Sequence, residues 1–267
     1  MLDRPGARPS GYRALVPGSE LRSVKATRYV TPLREGGSLP GLVEADDDGL
    51  YVTKFRGAGQ GPRALVAEVI VGELARRLGL LMPELVTVEI DPRFAAAEPD
   101  PEIQDLILAS AGTNLGVDFL PGALPFTPGG AWAPAPELAA EIVWLDAFTT
   151  NVDRTPRNPN LLLWHERMWL IDHGAALYLQ HAGLAGADPL RPFPLIAEHV
   201  LLPYAGSIPE AAERLAPRVD SALIAEAVAL APRDWFGQDV PEAYVSYLVT
   251  RAQAAAFALE AEAARHG

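Results

Sequence analysis

The stretch Asn151–Asn160, with the sequence N-V-D-R-T-P-R-N-P-N, is followed shortly by the turn Asp172-His173-Gly174. Asp153 stands beside Arg154, Asn158 supplies an amide five residues further on, and the later turn supplies a second acid in the pattern D-x-G. Carboxylate and amide oxygens are the ligands that hard divalent cations prefer. The stretch therefore predicts a polar site, and the rest of the chain is interpreted as the scaffold that holds it.

Composition limits the classes of function. The chain has 267 residues and a net charge of −12, from 22 basic and 34 acidic side chains, which argues against a broad surface for nucleic acid or anionic membrane. It has no cysteine, which excludes disulfides, thiolate zinc sites and a catalytic thiol. No run of residues is apolar enough to span a bilayer, and the first residues do not form a signal peptide. We expect a cytoplasmic protein.

The first half of the chain has the patterns of a sheet and one long helix. In the third predicted strand, alternation places Tyr51, Thr53 and Phe55 on one face and Lys54 on the other. The predicted strands cover 23–33, 42–45, 50–56 and 85–90, with further strand character at 117–120; the long helix covers 63–78 and a short one 101–110.

Glu68 lies on an apolar face of the predicted long helix, where an unpaired carboxylate would be costly. A cationic partner is therefore expected, and Lys54 on the preceding strand is the natural candidate. The alternative is a position at the edge of the helix, from which Glu68 reaches water.

A glycine-rich turn between the first two strands contains Gly36, Gly37 and Ser38. Backbone N–H groups in such a turn can bind a phosphate, which makes these three residues candidate nucleotide-binding positions. A plain hairpin turn explains the same residues equally well.

The character of the chain changes after the Pro- and Gly-rich segment 126–136. A helix is predicted over 137–150, two short strands over 161–164 and 168–171, and helices near 190–200, 208–216, 219–230 and 241–264. This segregation predicts an α+β fold in two lobes, with a lead-in at 1–22, a β-rich N-lobe at 23–120 and a mainly helical C-lobe at 121–267.

These polar residues match what phosphoryl transfer requires: metal ligands, a cation on the phosphates and an acceptor near the attacking hydroxyl. Asp172 and Asn158 are candidate Mg²⁺ ligands, and Asp153 is the candidate for orienting the hydroxyl. Lys54, paired with Glu68, is the candidate for binding phosphates. A role in neutralising charge on the transferred group falls to Arg154 or to Arg157.

The order of these elements is that of a protein-kinase-like fold: a strand Lys, a helix Glu, D-x₄-N in a loop, then D-x-G after a hairpin. The pattern Asn151-x-Asp153-Arg154-x₃-Asn158 resembles the catalytic loop of HipA-like serine/threonine kinases, and it is similar in form to that of phosphoinositide-3-kinase-like enzymes. The segment 51–56 resembles the HipA-like strand that carries the ATP lysine. The resemblance spans about 26–178.

The resemblance implies a bilobal fold with ATP and Mg²⁺ in the cleft, Lys54 on phosphate, Asp153 as the catalytic Asp, and Asn158 and Asp172 on the metal. The chain departs from the related patterns at three positions. Thr155 replaces the usual His of the loop, Arg157 replaces a Lys, and His173 replaces the Phe of protein kinases. These differences leave the residues with predicted chemical roles unchanged, but the substrate does not follow from the resemblance.

The predicted activity is transfer of the γ-phosphate of ATP to a hydroxyl, either a protein Ser or Thr, including one of its own, or a small molecule. A nucleotide-binding pseudokinase that acts as a scaffold and an enzyme that transfers AMP are the alternatives. The five histidines show no zinc spacing, and His173 is predicted to be a packed turn residue.

Overall fold

The computed structural model describes residues 20–33, 39–59, 61–177 and 184–267. Gly36, Gly37 and Ser38, and most of the predicted lead-in, lie outside these residues. The strands are β1 (Arg22–Pro32), β2 (Gly41–Ala45), β3 (Leu50–Lys54), β4 (Leu85–Ile90), β5 (Gly112–Asp118), β6 (Leu124–Pro125), β7 (Leu161–Trp164) and β8 (Arg167–Leu170). The α-helices are α1 (Pro62–Leu78), α2 (Pro101–Ala109), α3 (Pro136–Thr149), α4 (Ile208–Leu215), α5 (Ser221–Ala229), α6 (Pro241–Ala254) and α7 (Ala256–His266).

The first five strands close into a barrel in the order β1-β2-β3-β5-β4, which the sequence patterns do not predict. Closure depends on β1, whose first half pairs in parallel with β4 and whose second half pairs antiparallel with β2. The β1–β2 register shifts twice, between Ala26 and Arg28 and between Tyr29 and Thr31. Such irregularities bend a strand, so that one long strand can serve two neighbours and remove the open edges of the sheet.

The alternation predicted for β3 is confirmed. Tyr51, Thr53 and Phe55 are buried, and Tyr51 and Phe55 belong to the barrel core with Val86 and Val88. Lys54 therefore lies on the outer face of the barrel wall, toward the rest of the chain.

Helix α1 is buried on nearly every side, including the side that carries Glu73. Glu73 is buried and accepts hydrogen bonds from Arg76 at 2.7 Å and from Arg77 at 2.6 Å. The reason is tertiary: α5 packs along this side, and Arg77 also pairs with Glu226 of α5.

The C-terminal half differs from its prediction at two helices. Residues 190–200 form a short 3-10 helix, Pro194–Glu198, instead of an α-helix, because prolines interrupt the segment. The predicted helix over 241–264 is two helices, which separate at Ala255 with a φ of 52°. The break lets Phe257 pack against Trp144 of α3, with ring centroids 5.4 Å apart, and leaves Leu259 exposed.

Strands β6, β7 and β8 form a separate antiparallel sheet, and β8 leads directly to Asp172. Helix α3 leads directly to Asn151–Asn160, and its residues Trp144 and Phe148 lie in the largest hydrophobic core. The two polar segments are therefore anchored by one sheet and one buried helix. Within the described ranges, no helix combines the length and apolar character needed to cross a bilayer.

Candidate active site

Lys54 lies between two carboxylates that come from distant parts of the chain. Its Nζ is 2.7 Å from Oε2 of Glu68 on α1 and 2.8 Å from Oδ1 of Asp172 after β8. The ion pair between Lys54 and Glu68 that the sequence predicted is thereby confirmed, and Glu68 is fully buried. The alternative, in which Glu68 reaches water at a helix edge, is wrong.

The charges in this cluster fix the protonation states of Lys54 and Asp172. Burial by itself would lower the pKa of Lys54, but Asp172 and Glu68 outweigh it and hold that pKa above its ordinary value. The Lys54 ammonium in turn lowers the pKa of Asp172. Lys54 is thus a cation and Asp172 an anion at neutral pH. The side chain of Asp172 is 43% exposed, so one of its faces is open to solvent.

The turn after β8 is held by the same glutamate. Asp172 has a φ of 56°, and the His173 backbone N–H donates to Oε2 of Glu68 at 2.7 Å. One buried carboxylate therefore fixes both the lysine on the barrel and the D-x-G turn.

The ring of His173 is completely buried, as predicted for a packed turn residue. Neither ring nitrogen has a hydrogen-bond partner in the described part of the chain. Burial, together with the nearby charge of Arg154, lowers the pKa of His173 from 6.5 to about 3. His173 is therefore neutral at physiological pH.

In the loop 151–160, two side-chain amides hold Asp153, the predicted catalytic Asp. Asn158 Nδ2 and Asn160 Nδ2 both donate to Oδ2 of Asp153, at 2.8 and 3.3 Å. The loop is narrowed by a pair of backbone bonds between Thr155 and Asn158, of 3.2 and 3.1 Å. Asp153 and Asn158 are thus in direct contact, and Asn160 joins them.

The loop and the D-x-G turn are fixed to each other. The N–H of Ile171, which precedes Asp172, donates to the carbonyl of Asn160 at 3.1 Å. The structure therefore brings together the predicted residues as two adjoining groups, one around Lys54 and one around Asp153.

Arg154 lies differently from its prediction. Its side chain is turned into the protein and is fully buried, with Nε 2.5 Å from Oδ2 of Asp146 on α3. Nη1 donates to the carbonyl of Asn160 and, at 3.4 Å, to that of Ile171. A guanidinium occupied in this way cannot also contact a group transferred at the surface of the loop. The direct catalytic role predicted for Arg154 is corrected to a structural one.

Two residues beneath the loop, Asp146 and His199, were not among those predicted from the sequence. Asp146 accepts hydrogen bonds from Arg154, from Asn151 Nδ2 at 3.0 Å and from His199 Nε2 at 2.9 Å. A carboxylate inside the apolar helix α3 was the available signal for Asp146, the same signal that identified Glu68. His199 carries no such signal, because its partner is distant in sequence.

The oxygen atoms at the site suit a hard divalent cation. Asp172 has a half-exposed carboxylate, and Asn158 uses its nitrogen toward Asp153, which leaves its amide oxygen available. Among the described residues, no three His, Cys, Asp or Glu side chains converge as a ready-made metal cage. Sites that share Mg²⁺ with phosphates use few protein ligands, so the donor set fits that kind of site.

A buried Lys–Glu pair, an acid in a clamped loop and a second acid in a D-x-G turn together define a protein of the kinase class. The family model described as HipA-like kinase matches residues 27–183, more than half of the chain. The chain belongs to the HipA-like kinase family and is a phosphotransferase.

One solved structure shares the fold of this chain, and a second gives a weaker alignment. The proinflammatory kinase CtkA of Helicobacter pylori aligns with a TM-score of 0.53 at 11% identity, covering 92% of this chain and 97% of that one. The Golgi casein kinase with Mn/ADP bound aligns with a TM-score of 0.48 at 13% identity, covering 91% of this chain and 73% of that one. No curated protein gives a significant sequence match.

Proposed function

We propose that this protein is an ATP- and Mg²⁺-dependent kinase that transfers the γ-phosphate to a Ser or Thr hydroxyl of a protein. In this proposal the barrel half, 23–120, is the N-lobe and 121–267 is the C-lobe of a bilobal enzyme in the cytoplasm. The observation that carries the proposal is Lys54, which is held by Glu68 on one side and by Asp172 on the other.

Lys54 and Glu68 have the properties of a phosphate-binding pair. Glu68 is fully buried and its contact fixes the position of the Lys54 ammonium, which stays charged because two carboxylates surround it. A positioned cation is what a triphosphate requires, since it neutralises charge without reorganising during the reaction. When phosphate oxygens arrive, they replace part of the contact that Lys54 makes with Asp172.

Asp153 is proposed to accept a hydrogen bond from the attacking hydroxyl and to orient it. Asn158 and Asn160 both bind Oδ2, so that one carboxylate oxygen is fixed by amides while the carboxylate as a whole stays partly exposed. Holding the acid in one geometry lowers the entropy cost of aligning the acceptor.

Asp172 and Asn158 are the proposed Mg²⁺ ligands, through the open face of the carboxylate and the amide oxygen. A cation bound there would neutralise charge on the phosphates. The glycine-rich turn with Gly36, Gly37 and Ser38 remains a proposed phosphate-binding segment. Of the two arginines weighed for the transferred group, Arg157 is the one that the structure leaves exposed on the loop.

The test is to incubate the protein with Mg²⁺ and with ATP that is labelled at either the γ- or the α-phosphate. Label on protein and release of ADP are then measured. We expect γ-label on a Ser or Thr of protein, and loss of both signals in Asp172→Ala. Asp48→Asn is the matched control, because Asp48 is an exposed turn residue with a φ of 62° that Asn tolerates.

Other results would redirect the assignment. Transfer of α-label would indicate AMP transfer, and ADP release only with an added small hydroxyl compound would indicate a small-molecule kinase. ATP binding without any turnover, with a range of acceptor proteins supplied, would indicate a pseudokinase.

A further inference from the structure

A charged cluster lies beneath the catalytic loop. It consists of Asp146, Asn151, Arg154 and His199, and we call it the buried node. All four residues are buried, and the Asp146 and Arg154 side chains have no exposed surface. Burying an ion pair of this kind loses hydration that the attraction between the charges often does not recover, so the pair does not by itself stabilise a fold. The energetic cost makes a purely stabilising role a weak explanation.

Two chains of contacts connect Asp146 to Asp153. Asn151 donates its Nδ2 to Asp146, while its Oδ1 accepts the backbone N–H of Asp153 at 3.2 Å. Arg154, the next residue, donates its Nε to the other oxygen of Asp146. Asp146 therefore fixes the main chain on both sides of the Asp153 side chain.

His199 adds a third element to the same point. Its Nδ1 accepts the N–H of Leu201 at 3.1 Å, so the ring proton must sit on Nε2, which donates to Asp146 at 2.9 Å. Burial also lowers the pKa of His199, in agreement with this neutral tautomer. The next residue, Val200, donates its N–H to the carbonyl of Arg154 at 3.0 Å. The segment around His199 thus holds Arg154 in two ways. His199 binds Asp146, which is the side-chain partner of Arg154, and Val200 binds the main chain of Arg154.

We propose that Asp146 and His199 are positioning residues of phosphoryl transfer, which set the geometry of Asp153 from beneath the loop. This inference rests on the proposed function. His199 lies in the segment that follows both α3 and the β7–β8 hairpin in the sequence. In the proposal, His199 links this segment to the catalytic loop. A displacement of about 1 Å at a reacting group can cost about 100-fold in rate, so loss of such a contact should be visible in kcat.

The sharpest test is a pair of substitutions at His199 that separate its two hydrogen bonds. In His199→Gln, the amide nitrogen can take the place of Nε2 and still donate to Asp146. In His199→Asn, the amide oxygen can take the place of Nδ1 and accept the Leu201 N–H, but the side chain is too short to reach Asp146. Each variant keeps one contact and loses the other.

We expect His199→Asn to lower kcat about 10- to 100-fold and to change the KM for ATP by less than about threefold, since the proposed phosphate-binding residue, Lys54, is held by Glu68 and Asp172 outside the buried node. His199→Gln should stay within about threefold of wild type in both. The second readout is hydrogen–deuterium exchange of the backbone amides of 151–160 without substrate. It should be faster in the Asn variant and unchanged in the Gln variant.

Equal losses in the two variants, or a larger loss in His199→Gln, would overturn the proposal and leave His199 a turn residue only. If the wild type releases no ADP, the proposed function fails, and the exchange readout still decides whether the node positions the loop. If His199→Asn does not fold, His199→Gln decides alone: faster exchange of 151–160 than in wild type overturns the proposal, and unchanged exchange supports it.

Discussion

Replacing His173 by Phe should remove part of the acid sensitivity of the fold. His173 is completely buried, and its pKa falls from 6.5 to about 3 in the folded protein. Above pH 6.5 the ring is neutral in both the folded and the unfolded chain, so it adds nothing to the pH dependence. Between pH 6.5 and about 3 the unfolded chain binds a proton that the folded protein does not, and acid therefore favours unfolding.

The size of the effect follows from this pKa difference. Each pKa unit between the unfolded value and the solvent pH is about 1.36 kcal/mol, so protonation of the unfolded chain should cost about 2 kcal/mol of stability at pH 5. The cost should vanish at pH 8. His173→Phe cannot bind that proton, and it also puts an apolar ring in place of one whose two nitrogens have no hydrogen-bond partner among the described residues.

The assay is urea unfolding of wild type and His173→Phe at pH 8 and at pH 5. A change in packing shifts both measurements equally, so the informative quantity is the change in the difference between the two proteins. We expect that difference to move by about 2 kcal/mol in favour of the variant at pH 5. His173→Leu should show the same shift if the ring proton is its cause. A stability difference between the two proteins that is the same at pH 8 and at pH 5 would show that His173 does not cause the acid sensitivity.

Three further substitutions test other parts of the structure. Lys54→Met removes the cation between Glu68 and Asp172, and calorimetric titration should show ATP affinity about 10- to 100-fold lower; unchanged affinity would contradict its phosphate role. Glu68→Ala breaks a buried ion pair and should lower the free energy of unfolding by about 3–5 kcal/mol in urea, whereas a loss below about 1 kcal/mol would show that Asp172 alone suffices. Gly116→Ala places a Cβ 2.5 Å from Val88 in the barrel core and should cost about 1–3 kcal/mol of stability, with the ATP affinity of the folded protein unaffected.

The Lys54–Glu68 contact was predictable because two local rules met. Strand alternation placed Lys54 on the outer face of β3, and helical periodicity placed Glu68 on an apolar face that demanded a cation. The structure adds that Glu68 also holds the His173 N–H, which no periodicity could indicate.

The orientation of Arg154 was not predictable from its neighbours. Its sequence position beside Asp153 suggested an exposed catalytic cation, but adjacent residues on a loop point in different directions. The direction is set by Asp146, whose buried carboxylate needs a cation and lies one helix away. His199 was missed for the same reason, since it meets Asp146 only in three dimensions.

Backbone conformation explains the remaining differences. A left-handed φ is unusual for Ala, so nothing in the sequence marked Ala255 as the end of a helix, and the break reflects the packing of Phe257 on α3. Closure of the barrel likewise depends on register shifts within β1, which strand propensity does not encode.

Above all, we propose that Asp153 acts in the chemical step of an ATP-dependent transfer and not in nucleotide binding. The most direct test measures ATP–Mg²⁺ affinity and the rate of γ-phosphate loss side by side in wild type, Asp153→Asn and the control Asp48→Asn. We expect affinities within about threefold of one another and a rate at least about 100-fold lower in Asp153→Asn alone. Equal rates in all three proteins, or loss of ATP binding in Asp153→Asn, would contradict it.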